Sequence, residues 1–300
     1  MEPRAPSLDH LRVFIAVAET GSFAGAARRL RRATSVVSYA IANLESQLGL
    51  ALFERQATRK PQLTEAGRAL LADSRGISLG MDGLLARARG LIGGLEAEVA
   101  IAVDVMLPAP LLVKVLDAFR VEFPTVALRL YVEALGAVAQ LVLDRTASVG
   151  VSGPLPRRMD ALEQGAVGTV RLMAVAAPTH PLARHKGRLT PALVREQVQL
   201  VLTDRSTLTK GQDFSVLATQ TWRLADLGAK HALLLAGLGW GSMPDWMVRE
   251  DIAAGRLKRL AIDTWEDALF PLQSLSRTDR PPGPAGRWLI QRLRDEGWTR

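Results

Sequence analysis

The apolar residues of the first 48 positions recur at helical spacing in three successive segments. They predict helices at residues 8–18, 23–30 and 34–48, each with one apolar face, and Ser22 is predicted to cap the second. Gly21 and Gly49 are placed to end the first and the third of these helices. Only a short turn joins the second helix to the third, and this arrangement is typical of a helix-turn-helix.

The segment 51–63 has a different pattern. Leu52 and Phe53 are followed by a polar, basic stretch and then by Pro61. This order predicts a small β-hairpin, or wing, whose charged tip lies in solvent. The N-terminal part of the chain is therefore predicted to be a winged helix-turn-helix.

A long helix with a coiled-coil seam is predicted from Thr64 onward. The seam residues recur at alternating spacings of four and three, and they are Leu70, Ser74, Ile77, Met81, Leu84, Ala88 and Leu91. Each glycine inside this helix costs up to about 1 kcal/mol relative to alanine, so we expect the helix to need a partner. Gly93 and Gly94 are predicted to end it and to act as a hinge.

Strand and helix patterns alternate beyond the hinge. Predicted strands cover residues 99–103, 126–132, 148–151, 171–176, 199–203, 221–224 and 269–276, and predicted helices cover 109–123, 137–143, 226–237 and 285–296. Such alternation predicts an α/β fold with a mostly parallel sheet covered by helices. Because the strands fall into two sets, we expect a crevice between two sheets.

Charge and composition change the picture of the N-terminal part. The chain has 38 basic and 30 acidic residues, a net charge of +8. Nine basic and five acidic residues fall within positions 1–63, so a fifth of the chain carries half of the excess. The sequence has no cysteine, no apolar signal core near Met1 and no stretch of about 20 apolar residues. We therefore expect a cytoplasmic protein, not a membrane protein, with nucleic acid as its polyanionic partner.

Short motifs between Leu11 and Gly67 resemble the LysR-type transcriptional regulators. The matching runs are Leu11-Arg12-Val13-Phe14, Ala16-Val17-Ala18-Glu19-Thr20-Gly21-Ser22-Phe23, Ala26-Ala27-Arg28-Arg29-Leu30, Val37-Ser38, Leu44-Glu45, Leu48-Gly49, Leu52-Phe53-Glu54-Arg55 and Leu63-Thr64-Glu65-Ala66-Gly67. Two later segments, 174–182 and 237–244, are similar to the effector domain of that family, though more loosely.

The resemblance implies a domain organisation and a set of partners. It implies a winged helix-turn-helix at 7–64, a linker and dimerisation helix at 65–93, and an α/β effector domain of periplasmic-binding-protein type at 95–300, with subdomain I at about 95–165 and 268–300 and subdomain II at about 166–267. The expected partners are double-stranded promoter DNA, a second copy of the chain (a dimer, usually assembling to a tetramer), RNA polymerase and a small-molecule effector bound between the subdomains. No cofactor is expected.

The residues expected to contact DNA lie beside the turn, on the polar face of the third helix and at the wing tip. They are Arg28, Arg29, Arg32, Thr34, Ser35, Ser38, Tyr39, Asn43, Arg55, Arg59 and Lys60. Cationic side chains would hold phosphates, and the helix would meet base edges in the major groove. The alternative is that these are ordinary solvated faces. The family usually has glutamine in place of Thr34 and often arginine in place of Tyr39, and Thr34 or Ser35 could instead cap the helix.

The residues expected to contact the effector lie at strand ends and near a helix start, where open α/β sheets bind ligands. They are Asp104, Met106, Thr203, Arg205, Ser206, Lys230 and Trp240. Arg205 and Lys230 could neutralise an anionic effector, or both could be plain surface charges. The glycine-rich run 237–241 follows a predicted helix, so we interpret it as a tight turn that brings backbone near the cleft.

Three other classes of function fit the sequence less well. A solute-binding module would need a signal peptide and would leave residues 1–64 unexplained. An enzyme would need a nucleophile elbow, a phosphate loop or histidines at metal-ligand spacing, and none of these patterns is present. An architectural DNA protein would not need the α/β half.

Overall fold

Two structural units make up the chain. The computed structural model describes residues 5–54, 61–204, 206–209, 215–263 and 268–296. The units are Met1–Arg89 and Gly90–Arg300. Within the described ranges, none of the helices is both long and apolar enough to cross a membrane.

The first unit is helical, as predicted. Its helices are α1 (Leu8–Thr20), α2 (Phe23–Leu30), α3 (Thr34–Leu48) and α4 (Glu65–Ile92). The Ser22 hydroxyl accepts a hydrogen bond from the Gly25 amide and caps α2, while Gly21 and Gly49 end α1 and α3 in the left-handed conformation. The helices enclose a core that includes Phe14 and Leu44.

The base of the predicted wing follows α3. Phe53 and Leu63 form an antiparallel bridge, and the Glu54 amide donates to the Gln62 carbonyl at 2.8 Å. Gly67 in the first turn of α4 packs against this base. A Cβ at that position would lie 2.2 Å from the Leu52 carbonyl oxygen, so the close approach requires glycine.

The second unit alternates strands and helices. Its elements are β1 (Glu98–Asp104), α5 (Ala109–Glu122), β2 (Ala127–Glu133), α6 (Gly136–Leu143), β3 (Val149–Ser152), β4 (Leu162–Ala176), α7 (Pro181–Arg184), α8 (Pro191–Arg195), β5 (Gln199–Leu202), β6 (Thr221–Leu224), α9 (Leu227–Leu235), β7 (Trp240–Pro244), α10 (Asp245–Ala253), β8 (Lys258–Arg259), β9 (Ala268–Arg277) and α11 (Pro284–Asp295). Every strand and helix predicted from the sequence is present, and α7, α8, β7, α10 and β8 are additional.

The strands form one continuous mixed sheet in the described part of the chain, with the order β2-β1-β3-β9-β4-β7-β5-β6 and with β8 paired to β4. Pairing is parallel at the two ends, in β2-β1-β3 and in β7-β5-β6. The central strands β9 and β4 are antiparallel to their neighbours. The expectation of a mostly parallel sheet is therefore correct only for the two ends.

The expectation of two separate sheets is wrong, because β4 and β9 run from one parallel set into the other. They pair from Leu162 and Arg277 to Leu172 and Ala268, with a bulge between Ala166 and Gly168. The sequence pattern revealed only the apolar second half of β4. Its first half has polar and small residues, which give no strand signal.

Candidate functional site

The outer face of α3 is polar and exposed, while its inner face packs into the core. Val37, Ala40, Ile41 and Leu44 are buried. The predicted DNA-contacting residues lie on the other side: Thr34, Ser35, Ser38 and Tyr39 are exposed and Asn43 is half-buried. Tyr39 has 73% of its surface in solvent. One face of one helix thus brings these five predicted residues together.

Sequence reasoning missed two apolar residues on the same exposed surface. Val36 is 48% exposed, and Ala42 is also exposed. Apolar side chains on a recognition helix can contact the methyl group of thymine. The signal was available, because Val36 lies outside the spacing of the buried stripe that begins at Val37.

The start of α3 differs from one expectation. Ala33 is the N-cap residue and makes no side-chain capping hydrogen bond, so neither Thr34 nor Ser35 caps the helix. The reason is position: both residues already have helical geometry, whereas a capping side chain must precede the first turn. The hydroxyls of Thr34 and Ser35 are left exposed at the N-terminal end of α3.

The basic residues beside the turn differ in their partners. Arg32 donates two hydrogen bonds of 2.7 Å to the Asp9 carboxylate, and this hydrogen bonding lowers the pKa of Asp9. Arg29 pairs with Glu19 at 2.6 Å. Arg28 is exposed, and within the described ranges it forms no ion pair. Of the three, Arg28 is the guanidinium most available to a phosphate.

Glu45 on α3 fixes the base of the wing relative to that helix. Its carboxylate oxygen Oε1 accepts hydrogen bonds from the amides of Leu52 at 2.6 Å and Phe53 at 3.1 Å. The base of the wing is therefore held to α3 by two hydrogen bonds to a charged acceptor. The predicted tip residues Arg55, Arg59 and Lys60 lie outside the described residues.

A small cavity lies inside the second unit, where the two parallel sets of strands meet. Its volume is about 160 Å³. Its walls are mainly apolar, and its lining residues are Met106, Leu135, Pro154, Leu172, Gln199, Leu200, Val201, Leu202, Ser215, Lys230, Ser242, Ala268, Leu269 and Phe270. Of the residues predicted to contact an effector, Met106 and Lys230 line this cavity.

Lys230 on α9 is buried, with 2% of its surface exposed, so the alternative that it is a plain surface charge is wrong. Its Nζ donates a hydrogen bond of 2.7 Å to the Ser242 carbonyl. Burial lowers the pKa of Lys230 from 10.5 to about 7. Gly241 makes room for the stem, since a Cβ there would lie 3.2 Å from the Lys230 Cε.

Asp104 is buried at the end of β1 and holds the neighbouring wall of the cavity. Its two carboxylate oxygens accept hydrogen bonds of 2.9 Å from the amides of Met106 and Leu135, and the Gly153 amide is a third donor. Burial nevertheless raises the pKa of Asp104 to about 6, and the nearby Asp204 carboxylate contributes in the same direction. Asp104 therefore organises the cavity wall instead of lining it.

The segment after β5 lies against the start of α6. The Asp204 carboxylate accepts hydrogen bonds from the hydroxyls of Ser206, at 2.7 Å, and Thr209. A Cβ on Gly136 would lie 2.6 Å from the Ser206 hydroxyl, so the two segments are in close contact. Thr203 donates its amide to the Leu224 carbonyl. Thr203 and Ser206 therefore lie near the cavity without lining it, and Arg205 lies outside the described residues.

The position of Trp240 and the course of the glycine-rich run 237–241 both differ from expectation. It is fully buried in a separate apolar cluster with Leu182 and Ile262, so it does not line the cavity. The glycine-rich run turns only at Gly237, where φ is 76°, and then continues as β7. The physical reason is burial: in a strand covered on both faces, tryptophan and glycine pack as core residues.

Sequence reasoning missed a second, larger hollow beside the bulge of β4. It has a volume of about 660 Å³ and shares Pro154 with the small cavity. Arg157 and Arg158 lie on its rim, in the loop after β3. The sequence signal for this hollow was the pair of adjacent arginines that follows a proline.

Two family models match the chain. The "Bacterial regulatory helix-turn-helix protein, lysR family" matches residues 8–68, and the "LysR substrate binding domain" matches residues 93–298. Together they cover α1–α3, the first turn of α4 and nearly all of the second unit.

Curated relatives and solved structures agree with these matches. The HTH-type transcriptional activator AllS of Klebsiella pneumoniae is 32% identical over 253 residues, which cover 82% of this chain and 92% of that protein. The probable HTH-type transcriptional regulator YhaJ of Escherichia coli is 29% identical over 257 residues, 85% of this chain and 86% of the other.

Among solved structures, the OxyR C206 mutant of Corynebacterium glutamicum superposes with a TM-score of 0.54 at 22% identity, covering 98% of this chain and 94% of that one. CrgA, a LysR-type transcriptional regulator from Neisseria meningitidis, gives 0.50 at 22% identity, with coverage of 97% and 96%. At this identity the superpositions support the fold alone. The two family models and the similarity to AllS establish that this chain belongs to the LysR family of transcriptional regulators.

Proposed function

We propose that this regulator binds promoter DNA sequence-specifically as a homo-oligomer and responds to a small-molecule effector held in the cavity of its second unit. In this proposal residues 7–64 bind DNA, residues 65–93 join two copies, and residues 95–300 form the effector domain. Its two subdomains are about 95–165 with 268–300, and about 166–267. RNA polymerase is the partner that reads the change at the promoter.

The observation that carries the proposal is the exposed face of α3. It presents hydroxyls at Ser35 and Ser38, a phenol at Tyr39 and an apolar side chain at Val36. Base edges in the major groove are recognised by this combination of hydrogen-bonding and apolar groups. Arg28 lies in the last turn of α2, beside the turn that leads into α3, where a guanidinium can hold a phosphate and fix the register of the helix.

An apolar stripe on α4 supports the oligomer. Ile77 and Leu84, two turns apart, are 56% and 59% exposed, and Leu91 continues the stripe. A second copy of the helix can bury these side chains, as in a coiled coil. Two reading heads joined in this way would match a two-fold-symmetric operator.

The cavity supports the response to an effector. It lies between the two parallel strand sets, which β4 and β9 connect, so a ligand there contacts both sets. A ligand that favours one arrangement of the two sets by about 100-fold supplies about 2.7 kcal/mol of bias. That free energy is sufficient to shift an equilibrium between two promoter-bound shapes.

Selection from a random duplex library tests the DNA-binding part. The full-length protein should enrich a defined sequence with two half-sites, and footprinting should show discrete protection on it. Ser35→Ala should change the enriched bases, whereas the matched control Ser46→Ala, at the far end of α3, should not. Uniform coating of all sequences, as expected for an architectural protein, would contradict the proposal.

A further inference from the structure

Among the residues that the structure describes, the buried Lys230 has no acidic partner. Its Nζ donates to the Ser242 carbonyl, and within the described residues no carboxylate pairs with it. An ammonium group removed from water is stable only when it is compensated by hydrogen bonds and by opposite charge. The carbonyl supplies one hydrogen bond and no net charge. The described part of the protein therefore supplies only some of the hydrogen bonding and opposite charge that this ammonium requires.

In the described part of the chain, the elements packed around α9 place no acid beside Lys230 either. The described parts of β5 and β7 carry no titratable residue, while β4 and β6 present the exposed arginines Arg171 and Arg223. On α10, Asp251 pairs with His231 and Arg256. Asp226, the N-cap of α9, is engaged by the Ala229 amide. Burial lowers the pKa of Lys230, and this cause agrees with the lack of a charged neighbour among the described residues.

The cavity that Lys230 lines is small, and its described lining residues carry no other charge. Lys230 is the single titratable residue among its described lining residues, which are mostly leucine, methionine, proline and phenylalanine side chains. An apolar protein cavity of about 150 Å³ holds one benzene molecule. A volume of about 160 Å³ therefore admits a ring or a chain of about six carbon atoms. One cation in such a space favours one negative charge on the ligand.

We infer that the cavity binds a small monocarboxylate with an apolar body, and that the ligand carboxylate forms an ion pair with the Lys230 ammonium. This inference rests on the proposed effector function and names the ligand class for it. The apolar body would fill the space bounded by Met106, Leu172 and Phe270. A dianion would leave one charge unpaired, and a neutral ligand would leave the ammonium as it is.

Calorimetry on the full-length protein with matched acid and amide probes tests the inference. Benzoate and pentanoate should bind at least about tenfold more tightly than benzamide and pentanamide, as expected for a charge-assisted hydrogen bond in a buried site. Binding of the acids should also take up protons, because the ion pair favours the charged form of Lys230. Titrations at pH 8 in two buffers of different ionisation enthalpy should report between about half and one proton per site.

Two variants separate the ion pair from a structural role. Lys230→Met keeps the apolar stem, and it should lose the preference for acids over amides together with the proton uptake. Lys258→Met is the matched control, because Lys258 also donates to a backbone carbonyl, that of Ala183, but is exposed. This control should bind all four probes as the wild type does. Melting curves check that both variants are folded.

Each possible result has a defined meaning. Amides that bind as tightly as acids, or acid binding that is unaffected by Lys230→Met, would overturn the ion pair while leaving the cavity as an effector site. Binding of acids without proton uptake would also overturn it. If no probe of either class binds at millimolar concentration, both the inference and the assignment of the cavity as the effector site are wrong, and only the DNA-binding part of the proposal stands.

Discussion

The carboxylate of Asp104 accepts a hydrogen bond of 2.9 Å from the amide of Leu135. Asp104 ends β1, and Leu135 is the N-cap residue of α6. Leu135 has a φ of 50°, a conformation that residues with side chains rarely adopt, so its backbone is strained. The buried carboxylate holds this strained residue on the wall of the cavity, and the same carboxylate holds Met106 on that wall.

We predict that Asp104→Asn destabilises the protein at pH 7. The amide group of asparagine replaces an acceptor oxygen by a donor, which then faces backbone N–H donors. Leaving buried donors without an acceptor costs about 1–3 kcal/mol. Urea unfolding of the full-length protein measures this loss. Asp144→Asn is the control, because Asp144 is exposed and should change the free energy of unfolding by less than about 0.5 kcal/mol.

The way the free energy of unfolding depends on pH gives the sign of the contribution that the Asp104 carboxyl makes to stability. The pKa of Asp104 is about 6 in the folded protein and 3.8 as the ordinary value, so the folded state binds the proton more tightly. The stability gained from this tighter proton binding is fully present below pH 4. It is lost as the pH rises through 6. The difference between wild type and Asp104→Asn should therefore widen as the pH falls from 7 to 4. A constant difference would argue against a buried, titrating Asp104.

We predict the opposite pH trend for Lys230→Met. The pKa of Lys230 is about 7 when folded and 10.5 ordinarily, so the unfolded state binds the proton more tightly. Burial of the ammonium therefore lowers the free energy of unfolding by its full amount below pH 7. This loss of stability diminishes as the pH rises from 7 to 10. The variant should be more stable than the wild type at pH 6–7, by a difference on the order of a few kcal/mol.

The Lys230→Met difference should shrink steadily as thermal or urea unfolding is repeated at higher pH. Lys258→Met again serves as the control and should show no such trend, because Lys258 is exposed. A variant that is less stable than the wild type at every pH would mean that the hydrogen bond to Ser242 outweighs the cost of the buried charge.

Local rules were sufficient to predict the first unit. Helix spacing, the capping Ser22 and the terminal glycines Gly21 and Gly49 act within one or two turns, and each lies where the sequence indicated. The division of α3 into a buried and an exposed face also follows from its periodicity.

Long-range contacts decided what the sequence could not show in the second unit. The pairing of β4 with β9 joins residues about 100 positions apart, so no local pattern reveals it. Lys230 and Trp240 were both predicted to contact the effector, but the first is buried at the cavity and the second in an unrelated cluster. Only the packing of α9 and β7 on the sheet distinguishes these two buried side chains.

We predict that Arg28→Ala weakens DNA binding equally on cognate and scrambled duplexes. Arg28 is exposed beside the turn and, among the described residues, has no acidic partner, so its removal deletes a phosphate contact without breaking an ion pair. The slope of log affinity against log salt should fall by about 1. Fluorescence anisotropy over a salt series measures both effects.

Arg32 is a less direct probe of the phosphate contact, because Arg32→Ala would also release Asp9. Arg120→Ala on α5 is a suitable control, since Arg120 is exposed in the second unit and should leave the slope unchanged. An unchanged salt slope in Arg28→Ala would place the phosphate contacts elsewhere on the first unit.

The last prediction concerns assembly through α4. Ile77 and Leu84 lie on one face, two turns apart, and each exposes more than half of its surface. Burying them against a second helix would stabilise each copy by about 25 cal/mol per Å² of apolar surface removed from water. Ile77→Asp combined with Leu84→Asp places two charges in that contact, so light scattering should report a smaller assembly, and affinity for a two-half-site duplex should fall.

Leu79→Asp provides the matched control for this face of α4. Leu79 is also exposed, but it lies two residues from Ile77, which places it on the opposite side of the helix. The control should keep the native assembly, although it adds the same kind of charge to the same helix. Circular dichroism must show equal helix content in both variants. If the double variant keeps its oligomeric state while remaining folded, the contact between copies does not use the Ile77–Leu84 face, and the two reading heads must be joined through the second unit.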